Sequence, residues 1–352
     1  MSATLLLARR NLTRHRLRLV VSVGGVALAL TLTLALDAIY AGVARQLTTY
    51  VDRAGADVWV AQAGVRNLHM VASWLPDSVT DEIRAVEGVS GVTPILYSTD
   101  AIAAGDERAI AYVIGLPAES AMGGPWDIVE GSADVAPGEI IVDRGFARRA
   151  GVSIGDTVTV LGGDARIVGL SRGTASLVNS VAFVSFDSFR QLRGGAPVIS
   201  FVLATVEPGA SPRAVAAEIE RRVSGVSVQS RADMAEAERR LVMDMSADVI
   251  AIMSVVGFIV GLAVVALTVY VATLARRREY GALKALGTPD HVLYRVVLIQ
   301  SGLTVAAGFV VGLAVTGLLA ILVPRAGLDL ELAITSASLI KVGLFAAVIA
   351  SL

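Results

Sequence analysis

Side chains that make or break bonds are sparse in this chain. It has 352 residues and no cysteine, so it can form neither a disulfide nor a thiolate metal site, and it has no cysteine nucleophile. Between residues 43 and 247 the one histidine is His69. A histidine-based metal cluster or a Ser-His-Asp set has little else to draw on there, so His69 is read as a surface or packing residue. Carboxylates are numerous in that stretch but scattered, as on a solvated acidic surface. The two lysines, Lys284 and Lys341, follow Leu283 and Ile340. A phosphate-wrapping loop needs Gly-Lys-Ser/Thr, so this chain carries no Walker A site. We expect no catalytic residue, no metal site and no cofactor bound by this chain.

The densest chemistry is a contact chemistry. Residues 276–290 read Arg-Arg-Arg-Glu-Tyr-Gly-Ala-Leu-Lys-Ala-Leu-Gly-Thr-Pro-Asp. Tyr280, Leu283 and Leu286 fall three apart, on one side of a short helix. Gly287 suits the position that ends such a helix. Thr288 then reads as an N-cap with Pro289 at the first helical position. One face of the short helix is apolar and the other charged, which suits docking of a partner. An ordinary basic loop would show the same charges without the apolar ridge.

The elements that must position this loop are membrane helices. The chain is 55% hydrophobic and 17% charged, where soluble domains carry about a quarter charged residues. An apolar stretch of about 20 residues crosses a bilayer as helix, and four candidates follow: 19–42, 248–275, 293–323 and 337–352. The first is longer than the h-region of a cleavable signal peptide, so an anchored helix is preferred. The last reaches the end of the chain without a basic flank. We expect the sequence to stop inside that span, with Lys341 snorkelling to the outer interface. Gly257-Phe-Ile-Val-Gly261 and Gly308-Phe-Val-Val-Gly312 permit close helix approach, with packing inside one subunit preferred over a dimer seam.

Arginine bias sets the orientation. Residues 1–18 form a basic cytoplasmic segment, and 276–292 a basic cytoplasmic loop. Residues 43–247 then lie outside, with about 25 acids against about 18 arginines, and 324–336 form a short outer loop. The net charge of −1 gives no basis for a nucleic-acid partner, and none is expected. The outer segment alternates strand and helix signals. Strands are read at 57–62, 93–103, 108–114, 139–142, 157–160, 166–168 and 201–206. Helices are read from a Ser78 cap to Val86 and from Ser211-Pro212 to Val223. The fold class is an α-helical membrane protein with four transmembrane helices, one plus three. Its large α+β extracytoplasmic domain has a β-rich insertion near 116–196. Strong helix formers from Ala232 to Met245, with no breaker, carry the chain from that domain into the second span as one helix.

The segment Glu279, Gly281, Leu283, Lys284, Ala285, Leu286, Gly287 resembles the E-x-G-x-L-(K/R)-A-(L/I/M)-G signature of FtsX-like permeases, the MacB/LolC type of ABC transporter. Gly138-Glu-Ile-Ile-Val-Asp and Gly151-Val-Ser-Ile-Gly-Asp-Thr-Val resemble the run "G-E-(V/I)-(V/I)-(V/L) … G-x-x-x-G-D-x-(V/L)" in the β-rich part of that family's outer domain. The plan of one span, a large outer domain and three spans is similar too; the departure is the missing basic tail. The resemblance implies a permease subunit in a bacterial inner or plasma membrane, multi-pass, non-catalytic, and dimeric with a second copy or a paralogue. It also implies docking of a separate cytoplasmic ATPase, which uses ATP and Mg, through Arg278, Glu279, Tyr280, Gly281, Leu283, Lys284, Ala285, Leu286 and Gly287. Export or extraction of a substrate is one implied function. An FtsX-like regulator that transmits motion to a cell-envelope hydrolase is the alternative. A secondary transporter would need paired repeats and ionisable groups near the bilayer midplane, and the lopsided arrangement and clean middle spans argue against it.

Overall fold

A computed structural model describes residues 16–68, 71–174, 180–275, 277–286, 288–325 and 332–351. The chain divides into two compact units, 43–244 and the combination of 1–42 with 245–352.

The 43–244 unit is a large α+β domain. Its strands are β1 (Val58–Gln62), β2 (Leu75–Pro76), β3 (Val89–Ala104), β4 (Glu107–Leu116), β5 (Ile128–Gly131), β6 (Glu139–Asp143), β7 (Thr157–Val160), β8 (Gly163–Ser171), β9 (Ser180–Ser185), β10 (Val198–Ile199), β11 (Phe201–Val206) and β12 (Val226–Ser230). Helix α1 (Arg16–Arg53) enters the unit. Then come α2 (Val79–Arg84), α3 (Arg144–Ala150), α4 (Phe186–Leu192) and α5 (Pro212–Arg222), and α6 (Arg231–Ala275) leaves it. Strands pair in the order β12-β1-β11-β3-β4-β9-β6-β8-β5, with β7 bridging β3 and β8. A two-stranded pair, β10 with β2, stands apart.

Alternation of side chains along a strand builds two cores around the β12-β1-β11-β3 sheet. Val58 and Val60 of β1, with Val202 and Ala204 of β11, pack with Ile83 of α2 and Ile219 of α5. Trp59 and Ala61, with Phe201 and Leu203, join Tyr50 of α1 and Met234 of α6 on the other side. Both faces are covered, so β1 reads Val-Trp-Val-Ala before its exposed Gln62.

The sixteen-residue β3 is long enough to serve two sheets. Its first half pairs with β11 and its second half with β4. The pairings β3-β4, β4-β9, β9-β6, β6-β8, β8-β7 and β7-β3 then close a ring of six strands. All six supply the third core, including Ile102, Val113, Ile140, Val158, Ile167 and Val184. The β-rich region is therefore not confined to 116–196: its ring is completed by β3 and β4. The caps also differ from the sequence reading. Ser78 and Ser211 make no side-chain capping bond. Asp143 and Ser185 do, accepting from the amides of Gly145 and Ser188 at the starts of α3 and α4.

The second unit is helical. It contains the start of α1 and the end of α6, the short α7 (Arg277–Ala285), α8 (Asp290–Arg325) and α9 (Ser336–Ser351). Helix α6 is continuous from Arg231 to Ala275. Among the described residues two helices are long and apolar enough to cross a membrane, over Val20–Arg53 in α1 and Asp290–Val323 in α8; shorter apolar stretches lie at Val255–Val264 and Ser336–Val348.

The helices meet on small residues. A Cβ on Gly308 would stand 2.6 Å from Val26 Cγ1, and one on Gly257 would stand 2.5 Å from Thr33 Oγ1. At Gly312 a Cβ would lie 3.2 Å from the Ala27 carbonyl oxygen. These three glycines thus seat α6 and α8 against α1 within one chain. A Cβ at any of them would collide with or crowd α1. Around them Val26, Leu30 and Leu34 of α1 pack with Val305 of α8 and Val342 of α9. Lys341 does not stand free at an interface: its Nζ lies 2.7 Å from Asp37 Oδ1 on α1. The Ala333 amide bonds the Ala38 carbonyl at 2.9 Å, fixing the approach to α9 beside that pair.

Candidate functional site

The candidate site is α7 and the turn that follows it. Its nine residues, Arg-Arg-Glu-Tyr-Gly-Ala-Leu-Lys-Ala, are mostly good helix formers, with Gly281 as the exception. Helix α8 opens at Asp290, one residue after Pro289, with the Val292 amide bonded to the Pro289 carbonyl at 3.0 Å. The expected Thr288 cap with Pro289 in first position is thus shifted by one residue, a small difference at a helix end.

Lys284 spans the turn. Its Nζ lies 2.9 Å from Asp290 Oδ1 and 3.2 Å from Oδ2. The hydrogen bond to Asp290, and then its charge, raise the Lys284 pKa, which keeps the ammonium charged. Both side chains are well exposed, so the pair adds little to stability. It ties the end of α7 to the start of α8.

The rest of the element has little intramolecular cover. Arg277, Arg278, Gly281, Ala282, Lys284, Ala285 and Leu286 are all exposed, and Leu286 reaches 83%. A Cβ on Gly281 would meet nothing within 4 Å. Glycine inside a helix costs about 1 kcal/mol against alanine, and no contact with the described residues offsets that here. Glu279, Tyr280 and Leu283 lie on the same helix, but the placement of their side chains is outside what the structure describes. Gly287 and the surroundings of Gly261 also lie outside the described residues, as does His69.

Among its described residues the α+β unit holds no comparable constellation. Among the described residues no three His, Cys, Asp or Glu side chains gather as metal ligands would. Its buried carboxylates serve the backbone. Asp143 accepts from Gly145 N and from the amide and hydroxyl of Thr174, and Glu238 of α6 accepts from the Leu68 amide. Sequence reasoning missed Glu238 as a fixed point, because its partner lies 170 residues away.

Residues 19–222 match the model of the MacB-like periplasmic core domain, and residues 251–352 match that of the FtsX-like permease C-terminal region. The chain belongs to the MacB/FtsX-like family of ABC transporter permeases. The matched C-terminal region contains α7, so the exposed helix is part of the permease module itself. An uncharacterized ABC transporter permease of Mycobacterium tuberculosis is 25% identical over 348 residues, covering 97% of this permease and 94% of the relative. A second from the same organism is 25% identical over 321 residues, covering 90% and 86%. An archaeal one, from Methanocaldococcus jannaschii, is 22% identical over 341 residues, covering 89% and 82%. Among solved structures, the periplasmic region of MacB from Actinobacillus actinomycetemcomitans is similar with TM-score 0.41 and 10% identity, over 55% of this permease and 97% of that chain. The extracellular domain of the transporter YknZ is similar with TM-score 0.39 and 13% identity, over 50% of this permease and all of that chain.

Proposed function

We propose that this permease is the membrane subunit of an ABC exporter, and that α7 docks a separate cytoplasmic ATPase. The observation that carries the reading is the exposure of α7. An apolar Leu286 stands open just past a helix whose Gly281 has empty space around it, on a loop whose sequence matches the permease signature. A partner surface approaching Gly281 closely would use that space and cover Leu286.

In this reading the chain crosses the cell membrane four times, with residues 1–18 and α7 in the cytoplasm and the α+β domain outside. It pairs with a second copy or a paralogue, and the apolar faces left open on α6, α8 and α9 meet lipid and that partner. ATP and Mg are used by the ATPase, not by this chain. Closure of the ATPases moves α7, and the unbroken α6 carries the motion toward the α+β domain for export or extraction of a substrate.

The test is the double variant Glu279→Lys with Leu283→Asp. It reverses one charge and places another on the ridge, and loss of two anchors of about 1.5–2 kcal/mol each lowers affinity by a hundredfold or more. The variant is expected to insert normally and to lose co-purification of the ATPase. Retained ATPase at wild-type stoichiometry would sink the docking site.

A further inference from the structure

The α+β unit contains a cleft of about 480 Å³ between the segment 71–74, the middle of β3 and the end of α4. That volume falls within the roughly 300–1,000 Å³ of small-molecule sites. We propose that this cleft binds a small anionic amphiphile, a molecule with an apolar chain and a carboxylate or comparable acid head.

One part of the lining is apolar. Leu96 and Phe189 are buried at 4% each, while Val71 and Trp74 at the opening are exposed at 56% and 59%. Two large apolar side chains open to water at a concave site mark a place where an apolar ligand gains by burial. Trp74 is held there. Its amide bonds Gln62 Oε1 at 3.1 Å, and the Gln62 amide bonds Ser73 Oγ at 2.8 Å.

The other part is polar and cationic. Arg190 and Arg193 line it with Ser98, Thr99 and Tyr97, and none of the described lining side chains is acidic. Arg190 bonds Asp77 at 2.9 and 3.0 Å through Nη2 alone. Arg193 bonds Ser98 and Asp100, again through Nη2. A guanidinium has five N–H donors, so among the described residues Arg193 retains donors on Nε and Nη1. The Arg190 guanidinium stacks 4.7 Å from the Phe186 ring with its Nε buried, and its charge stays at the edge of the cleft. The Tyr97 hydroxyl shares a hydrogen bond of 3.3 Å with Thr99 Oγ1, and burial keeps it neutral. An anion completes these unspent donors and an alkyl chain covers Trp74; a cation meets two arginines.

The proposal is independent of ATPase docking and is tested without the ATPase. Full-length permease in phosphatidylcholine nanodiscs is titrated with 8-bromooctanoate, 8-bromooctan-1-ol and 8-bromooctylammonium, reading bromine quenching of tryptophan fluorescence. Saturable quenching is expected for the carboxylate, weaker by about tenfold for the alcohol and absent for the ammonium. Trp74→Phe should remove the saturable component, and Arg193→Gln should weaken it about tenfold. If Arg193→Gln does not fold, Ser98→Glu serves instead: a carboxylate beside Arg193 should abolish binding of bromooctanoate and spare that of the alcohol. Equal quenching by all three compounds, saturable quenching that survives Trp74→Phe, or none for the carboxylate would overturn the assignment.

Discussion

The α+β unit and the helical unit satisfy their apolar residues in opposite ways. In the first, three clusters bury Trp59, Phe201, Phe183, Phe146, Ile83 and their neighbours almost completely. In the second, one modest cluster joins α1, α8 and α9, while Ile259, Leu267, Val310, Leu318, Ile340 and Leu344 stay more than half exposed. Exposed apolar residues in such number mark membrane or protein contact. The contrast teaches that the α+β unit buries its apolar residues within itself and that the helices leave many of theirs for whatever surrounds them. Helix α7 and the turn after it differ from both, since their exposed residues mix arginines, a glycine and Leu286.

The largest effect that sharpens this contrast is in a core. Phe183→Ala should cost about 3–5 kcal/mol, read as an earlier transition in denaturant by tryptophan fluorescence, since all three tryptophans lie in the α+β unit. Val310→Ala, at a position 65% exposed, should leave the heating midpoint in detergent within experimental scatter. Equal losses would break the comparison.

Next in size is the Lys341–Asp37 pair, whose side chains are 33% and 15% exposed. Asp37→Leu removes that carboxylate from the lysine, and the loss should stay below the roughly 3–5 kcal/mol found for breaking fully buried pairs. The exchange Asp37→Lys with Lys341→Asp should recover most of it. A full loss in the exchanged variant would show that geometry, not charge, is what matters there.

The smallest effect belongs to the exposed Arg213–Asp233 pair at 2.6 Å. The hydrogen bond from Arg213, followed by that from Ser230, lowers the Asp233 pKa. A lowered carboxyl contributes stability above its unfolded pKa and loses it as the pH falls through the folded one. The α+β unit should therefore lose roughly 0.2–1 kcal/mol between about pH 5 and lower values. Arg213→Gln should flatten that slope.

The sequence made much of this plan legible where periodicity and breakers are local. The strand read at 201–206 matches β11, and the hairpin about Gly105-Asp106 matches the β3-β4 turn. Strand β9 was not legible, because all six of its residues are buried and it shows no polar alternation. Helices α3 and α4 are seven residues each, too short for a periodic signal, and only their capping residues Asp143 and Ser185 offered a cue. Ser78 and Ser211 offered the same cue and make no such bond. The ring of strands and the Lys341–Asp37 pair depend on partners far apart in the chain. At the candidate site, the helix and its glycine were readable from types and spacing; that Leu286 is uncovered and Lys284 is tied to Asp290 required coordinates.

The most direct measurement uses the absence of cysteine. A single Leu286→Cys in the full permease, carrying a short photoactivatable cross-linker, reports what covers that position in the assembled complex. Ile110→Cys, 52% exposed on β4, is the matched control. The account predicts an adduct with the ATPase from position 286 and none from 110. An equal yield from both, or no adduct from 286 in a complex that still hydrolyses ATP, would contradict it.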